Sequence, residues 1–294
     1  IGSTGAIASN GAFDAQAGSD INLGGNTTVS HDTTLAAGRD VNVSGSLAGQ
    51  GQGIVNAARD IVGAGTLTFG QQATLEAGRD VAQRGLIQGQ SVSVTAAGNA
   101  AVNNVESTGT IALRANGTNT ATGAGDLRID GSVAAAGAIT AFAQNDVAIG
   151  GKVASGSTVG VTAQRDIAVS GAIESVGDTA LAARQGSLNA TGGINSGGKQ
   201  AFAATANYAA QHDVALTGGM QAAAIAVTGG NNATLHDASS STTLTLTANG
   251  NAGEGDAGIT GAASAQGAAN VTGARDVSIG GPLGSGDGLA LTAQ

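Results

Sequence analysis

The sequence predicts an all-β protein: a single-stranded right-handed parallel β-helix, a solenoid of about 13 coils of roughly 20 residues each. Three observations predict it. An Asp followed by Val, Ile or Leu recurs every 20 residues at Asp20, Asp40, Asp60 and Asp80, again at Asp126, Asp146 and Asp166, and later at Asp213 and Asp276. Apolar residues stand one and three places after that Asp, the alternation of a strand with one buried face. Five places after it stands a Gly in every case: Gly25, Gly45, Gly65, Gly85, Gly131, Gly151, Gly171, Gly218 and Gly281.

The elements of one coil follow in order. The first strand carries Ile21, Val41, Ile61, Val81, Leu127, Val147, Ile167, Val214 and Val277, then Leu23, Val43, Ile129, Ile149, Val169, Leu216 and Ile279; Gly63 and Gln83 break the second of these columns. The Gly marks a turn that needs positive φ or a close approach of backbone. A second short strand begins two places later, at Leu47, Leu67, Ile87, Val133, Val153, Ile173, Met220 and Leu283. A third occupies stretches such as Thr-Val-Gly-Val-Thr-Ala at 158–163, with Leu35, Val55, Leu75 and Val161 as its apolar column. Asn99 fills the Asp place after Asp80, and Asn231-Asn232-Ala233 and Gly255-Asp256 are degenerate versions. Longer coils lie near 101–125, 187–212 and 233–255, where extra residues are expected as harmless loops on one face.

A single coil cannot bury its apolar face. Stacking at the strand spacing of roughly 4.8 Å turns each column into an aliphatic ladder, which suits stiff, β-favouring Val and Ile. The coils are then exchangeable, and deleting Asp40 through Arg59 should leave every ladder aligned. Other repeats fail on the period. Leucine-rich repeats need a fixed Asn and more Leu, and helical repeats need a 3.6-residue period. A propeller blade needs about 40 residues, and calcium-binding arrays repeat about every nine.

Composition narrows the function. Gly supplies 51 of 294 residues and Pro one, with regularly placed Val, Ile, Leu and Thr, so repetition rather than disorder explains the low complexity. The net charge of −9, with no Lys or Arg run, argues against nucleic acid or an anionic membrane as partner. Apolar residues alternate with polar ones throughout, so no stretch of about 20 is suited to membrane insertion. Cys is absent, which suits a secreted bacterial chain that crosses a membrane unfolded. The chain starts at Ile1 and stops inside a repeat at Gln294, so residues 1–294 read as a single β-helical repeat segment, a fragment of a longer filament.

Candidate chemistry is sparse. Arg precedes Asp40, Asp60, Asp80, Asp166 and Asp276, and that neighbouring charge argues against a metal or acid–base array. The reading is structural. Asp40, Asp60, Asp80, Asp146, Asp166 and Asp276 accept turn amides, Arg neutralises the column, and Gly45, Gly65, Gly85, Gly151, Gly171 and Gly281 make the turn. His31, His212 and His236 fall at different registers and should not converge on a metal. No Gly-x-Ser-x-Gly elbow occurs, and the cluster Gly49-Gln50-Gly51-Gln52-Gly53 lacks the helix of a phosphate cradle. The sequon Asn116-Gly117-Thr118 is expected by chance in such a chain, and Phe13, Phe69, Phe142 and Phe202 are expected to plug local gaps. A β-helix enzyme would need clustered charges walled by long loops, yet Lys occurs only at Lys152 and Lys199. No catalytic residue, metal or cofactor is expected.

The motif Ala-Gly-Arg-Asp-Val-Asn-Val-Ser-Gly-Ser-Leu (37–47), with variants at 77–81, 164–171 and 274–281, resembles the repeat arrays of filamentous haemagglutinin and related two-partner-secretion exoproteins. The resemblance covers nearly the whole chain. It implies a secreted, cell-surface β-helical filament exported through an outer-membrane two-partner-secretion transporter, with roles in virulence through adhesion to host cells, biofilm or presentation of a toxin. The family's Asn-Pro secretion motifs and an Arg-Gly-Asp motif are both missing here, so the segment reads as structural shaft, with the transporter engaged by a region outside it. Two other readings stand beside it: a Thr- and Asn-rich face that binds glycans or host receptors, and a degenerate polysaccharide lyase.

Overall fold

A computed structural model describes residues 1–118, 125–197, 205–210, 212–250 and 255–294. Lys199 and Phe202, and parts of the three longer coils, lie outside the described residues. The chain is an all-β parallel solenoid of about 13 turns, with no helix among the described residues. Its residues fall into two compact units, Ile1–Asn145 and Asp146–Gln294.

In the first unit a regular coil contributes three short strands, as in Ile21–Leu23, Thr27–Val29 and Thr33–Ala37, and the first two run together in Val81–Gly89 and Ala100–Ser107. Each strand pairs in parallel with its equivalent one coil away. The first column runs Ile21, Val41, Ile61, Val81, Ala100, Leu127. The second runs Thr27, Leu47, Leu67, Ile87, Val105, Val133. The third runs Leu35, Val55, Leu75, Val94, Leu113, Ala141. All these side chains are buried, as the period-2 pattern requires. Register is therefore strongly specified, since a one-residue slip would turn every apolar side chain outward.

The two exceptions in the first-strand column compensate each other. Gln83 is buried, and its side-chain amide nitrogen donates to the Gly65 carbonyl oxygen. A Cβ on Gly63 would meet the Gln83 Oε1 and the Val43 carbonyl oxygen, so Gly63 leaves the room that the Gln fills. Phe69 repeats the device in the second strand. Its buried ring lies where Cβ atoms on Gly49 and Gly53, in the coil below, would sit. The expected gap-filling role thus holds for Phe69. Phe142 differs: it faces outward, half-exposed, with the Arg114 guanidinium 5.1 Å from its ring centroid. These compensations also correct the exchangeability of coils, because removing Asp40 through Arg59 would take away Gly49 and Gly53 and leave Phe69 over Val29 and Thr33.

This coupling gives a testable result. Gly53→Val should collide with the Phe69 ring and Phe69→Ala should leave a cavity, each costing about 2–4 kcal/mol. The double variant should recover most of the loss, measured as a non-additive shift in the urea unfolding midpoint.

In the second unit the same three columns recur. The first runs Val147, Ile167, Leu188, Val214, Ala233, Ala257, Val277. The second is Val153, Ile173, Ile194, Met220, Ala238, Ala263, Leu283. The degenerate repeats are the places where these columns shrink to Ala, while Leu235, Leu244, Leu246 and Ile259 stay fully buried beside them.

The glycine turn resolves its two possible causes. None of the repeat glycines five places after Asp has positive φ. Most of them instead face the main chain of the coil below. A Cβ on Gly45 would overlap the Gly25 carbonyl oxygen, one on Gly65 that of Gly45, and one on Gly171 that of Gly151. Close backbone approach is what excludes a side chain here.

Candidate functional site

The repeated Asp and its Arg lie at one turn, between the third strand of a coil and the first strand of the next. After Thr33–Ala37, Gly38 and Arg39 lead into Asp40. The Asp backbone carbonyl accepts the amide at the start of the preceding coil's first strand, as Asp40 does from Ile21. Its side chain faces the following coil.

Sequence adjacency suggested that each Arg serves its neighbouring Asp. The structure assigns the Arg mainly to the Asp of the coil before it. Arg39 donates through Nε to Asp20 Oδ1 at 2.7 Å, and its terminal nitrogen bonds the other carboxylate oxygen. Arg59 holds Asp40, Arg79 holds Asp60, Arg165 holds Asp146 and Arg275 holds Asp256 in the same forked way. The Asp next in sequence is a looser neighbour, 3.3 Å away for Arg79–Asp80 and 3.9 Å for Arg39–Asp40. Each carboxylate also accepts the amide of the residue above it, Asp40 on Asp20 at 3.2 Å and Asp166 on Asp146 at 3.1 Å. Asp60 is the most enclosed, its side chain 10% exposed between Arg79 and Arg59.

Where the coil above supplies no Arg, the amide bond remains. Asp80 accepts from Asn99 at 2.8 Å, Asp166 from Ser187 at 2.7 Å and Asp213 from Asn232 at 3.0 Å. Asp276, at the far end of its column, is 76% exposed. Gly45, Gly65, Gly85, Gly151, Gly171 and Gly281 lie at a different turn, after the first strand.

Sequence reasoning missed further side-chain caps. Asp32 accepts from Gln52 at 2.8 Å, Asp237 from Ala262 at 2.8 Å and Asn104 from Ser132 at 2.9 Å. The usable signal was an Asp or Asn at the start of a turn, one period before a residue that needs an amide acceptor. The three His sit at three different turns. His236 bonds Thr260 Oγ1 at 3.0 Å through Nδ1 and lies 3.6 Å from Asp237. Among the described residues, no three or more His, Cys, Asp or Glu side chains gather as metal ligands would.

The guanidinium forks hold the carboxyls of Asp20, Asp40, Asp146 and Asp256 below their ordinary value, against a smaller opposing push from desolvation; the amide from the coil above adds to the lowering. Hydrogen bonds to the carboxylates raise Arg39, Arg59 and Arg79 in turn. A carboxyl lowered on folding contributes stability that is present above its unfolded value, near 3.8 here, and lost as pH falls through the lower folded value. Stability should therefore decline below about pH 4. Replacing Arg39, Arg59, Arg165 and Arg275 together by Gln should flatten that decline, read from thermal midpoints between pH 2 and 6. An unchanged slope would mean that the forks carry none of the acid sensitivity.

Outside the ladder charges are scattered, and shallow grooves run over the surface of each unit. In the first unit a shallow groove with an Ala and Gly floor passes Gln16, Asn56, Glu76 and Thr95. In the second, another passes Glu174, Asn195, Gln221, Ser239 and Ser264. The Asn195 side-chain oxygen is buried there without a hydrogen-bond partner in the protein. Lys152 pairs with Glu174 at 2.7 Å beside it.

The chain matches no protein-family model, no curated protein and no solved structure. Its function is therefore argued from this geometry and from the sequence motifs.

Proposed function

We propose that this chain is a non-enzymatic shaft segment of a secreted bacterial filamentous adhesin of the filamentous haemagglutinin type, giving length and stiffness on the cell surface. The observation that carries the reading is the repetition itself. In each unit the same buried ladders and backbone pairings recur coil after coil, with Asp–Arg forks at several of the stacked turns. Adding such a coil adds one strand spacing of about 4.8 Å and one more nearest-neighbour interface. The Asp–Arg charges are committed to one another, which suits a mechanical role better than acid–base chemistry. Export would use an outer-membrane two-partner-secretion transporter that recognises a region outside this sequence.

The test is insertion of tandem copies of Asp20 through Arg39 between Arg39 and Asp40 in the whole exoprotein. The filament should lengthen in electron micrographs while adhesion or delivery persists. Loss of adhesion with secretion and folding intact would overturn the shaft reading.

A second reading has one specific observation in its favour, the groove of the second unit, where Asn195, Gln221 and Ser239 lie among small and apolar residues and the Asn195 oxygen is buried without a partner. A face of Asn, Gln and Ser over small residues suits a neutral glycan. Glycan-array binding by this chain, abolished in Asn195→Ala, would support it.

A further inference from the structure

Two coils interrupt the third turn with insertions of several residues, and both do so with the same flanking residues; the turn at 184–186 is longer by only one residue. In a regular coil two residues, Gly38 and Arg39, separate Ala37 from Asp40. In the first unit Ala115 is instead followed by Asn116-Gly117, and the chain re-enters at Gly125-Asp126. In the second unit Ala248 is followed by Asn249-Gly250, with re-entry at Gly255-Asp256. The intervening sequences differ in length and composition; the frames do not.

The frames also share geometry. Gly117 and Gly125 have φ of 60° and 109°, and Gly250 and Gly255 have 69° and 113°. These lie in the left-handed region that favours Gly. A Cβ on Gly125 would sit 3.0 Å from the Gly117 Cα, and one on Gly255 2.9 Å from the Gly250 Cα. The outgoing and returning chains therefore meet at a closed neck. Beneath each neck the register position that in most other coils holds Asp, and at one holds Ser187, holds Asn. The Asn99 side-chain oxygen accepts the amides of Gly125 at 2.9 Å and Asp126 at 3.0 Å. The Asn232 oxygen accepts those of Gly255 at 3.2 Å and Asp256 at 3.0 Å. Gly125 and Gly255 occupy the place of the Arg, so no guanidinium comes down from that position, and the acceptor below is a neutral amide.

We infer that the third turn is a two-way socket: Asp below with a two-residue turn above, most often one that brings in an Arg, closes it, whereas Asn below with Asn-Gly…Gly-Asp above opens it to an insertion whose own sequence is immaterial to the fold. The charge logic runs through both forms. A carboxylate at position 99 would stand between Asp80 and Asp126 without the guanidinium that neutralises Asp20, Asp40 and Asp60. The amide keeps both bonds at the neck and avoids the like-charge stack. On this basis a filament can gain surface segments at the turn while its ladders stay in register.

Two experiments on the 294-residue chain test the inference. In the first, residues 118–124 are exchanged for residues 251–254. The unfolding midpoint should stay unchanged, and a drop as large as that of a core truncation would overturn the inference. In the second, residues 116–125 are replaced by Gly-Arg, with and without N99D. N99D should lower the melting temperature of the parent by roughly 2–4 °C and raise that of the closed-turn chain. The same sign in both backgrounds, or failure of the closed-turn N99D chain to fold, would overturn it.

Discussion

Deleting Asp40 through Gly49 is expected to abolish cooperative folding of the unit Ile1–Asn145, whereas the longer deletion of Asp40 through Gly98 leaves it folded. The short deletion joins Arg39 to Gln50 and sets Gly51 and Gly53 against Ile21 and Leu23, so polar turn residues face the apolar ladder at the junction between the first coils and all those above. Each coil is held only by its immediate neighbours, so nothing elsewhere in the stack offsets the lost interface and the coils on its N-terminal side are left without a partner. The long deletion removes whole coils and joins Arg39 to Asn99. Ala100 then stacks on Ile21, Val105 on Thr27 and Leu113 on Leu35, and Arg39 keeps its fork to Asp20. It also removes Gly49, Gly53, Gly63, Phe69 and Gln83 as a set, so no compensating residue is left without its partner. Circular dichroism and urea unfolding would separate the outcomes. A folded short-deletion chain would mean that the ladders tolerate misregister. The single-coil deletion of Asp40 through Arg59 should fall between the two, because it strands Phe69 over Val29.

The period, the three strands and the three ladders were legible because each is a column of one residue class repeated about every 20 positions. What was not legible arises only after stacking. Arg39 precedes Asp40 in sequence, yet its fork lies on Asp20, 19 residues back, because the guanidinium reaches along the stack rather than along the chain. The repeat Gly pointed equally to positive φ and to close approach, and the carbonyl beneath it decides for the second. The positive-φ glycines were hidden in the longer coils, where the frame Asn-Gly…Gly-Asp occurs too rarely to read as a column. Gly49, Gly53 and Phe69 were separately visible, but their complementarity depends on the 20-residue offset between coils. For the Asp column, its acceptance of amides was legible and the partner of each Arg was not.

Gly171→Ala and Gly160→Ala, eleven residues apart in the second unit, should move stability in opposite directions. Gly160 lies within the strand Val159–Ala163 with nothing within 4 Å of an added Cβ and no positive φ. Ala there removes the entropic weakness of Gly in a strand and should stabilise by about 0.5–1 kcal/mol. Gly171 stands in a continuous column in which a Cβ would meet the Gly151 carbonyl, while Gly192 and Gly218 repeat the same approach to Gly171 and Gly192 above it. The obstructing atom is main chain, not the end of a flexible side chain, and the Gly171 amide is tied to the Ile149 carbonyl at 3.2 Å. Relief would require the turn to move outward and carry the next glycines with it. The expected loss is therefore at least the ~1–3 kcal/mol typical of overpacking. Urea midpoints of the two variants against the parent decide the matter. A neutral Gly171→Ala would show that the turn column has slack, and the Gly would then need another explanation than backbone contact.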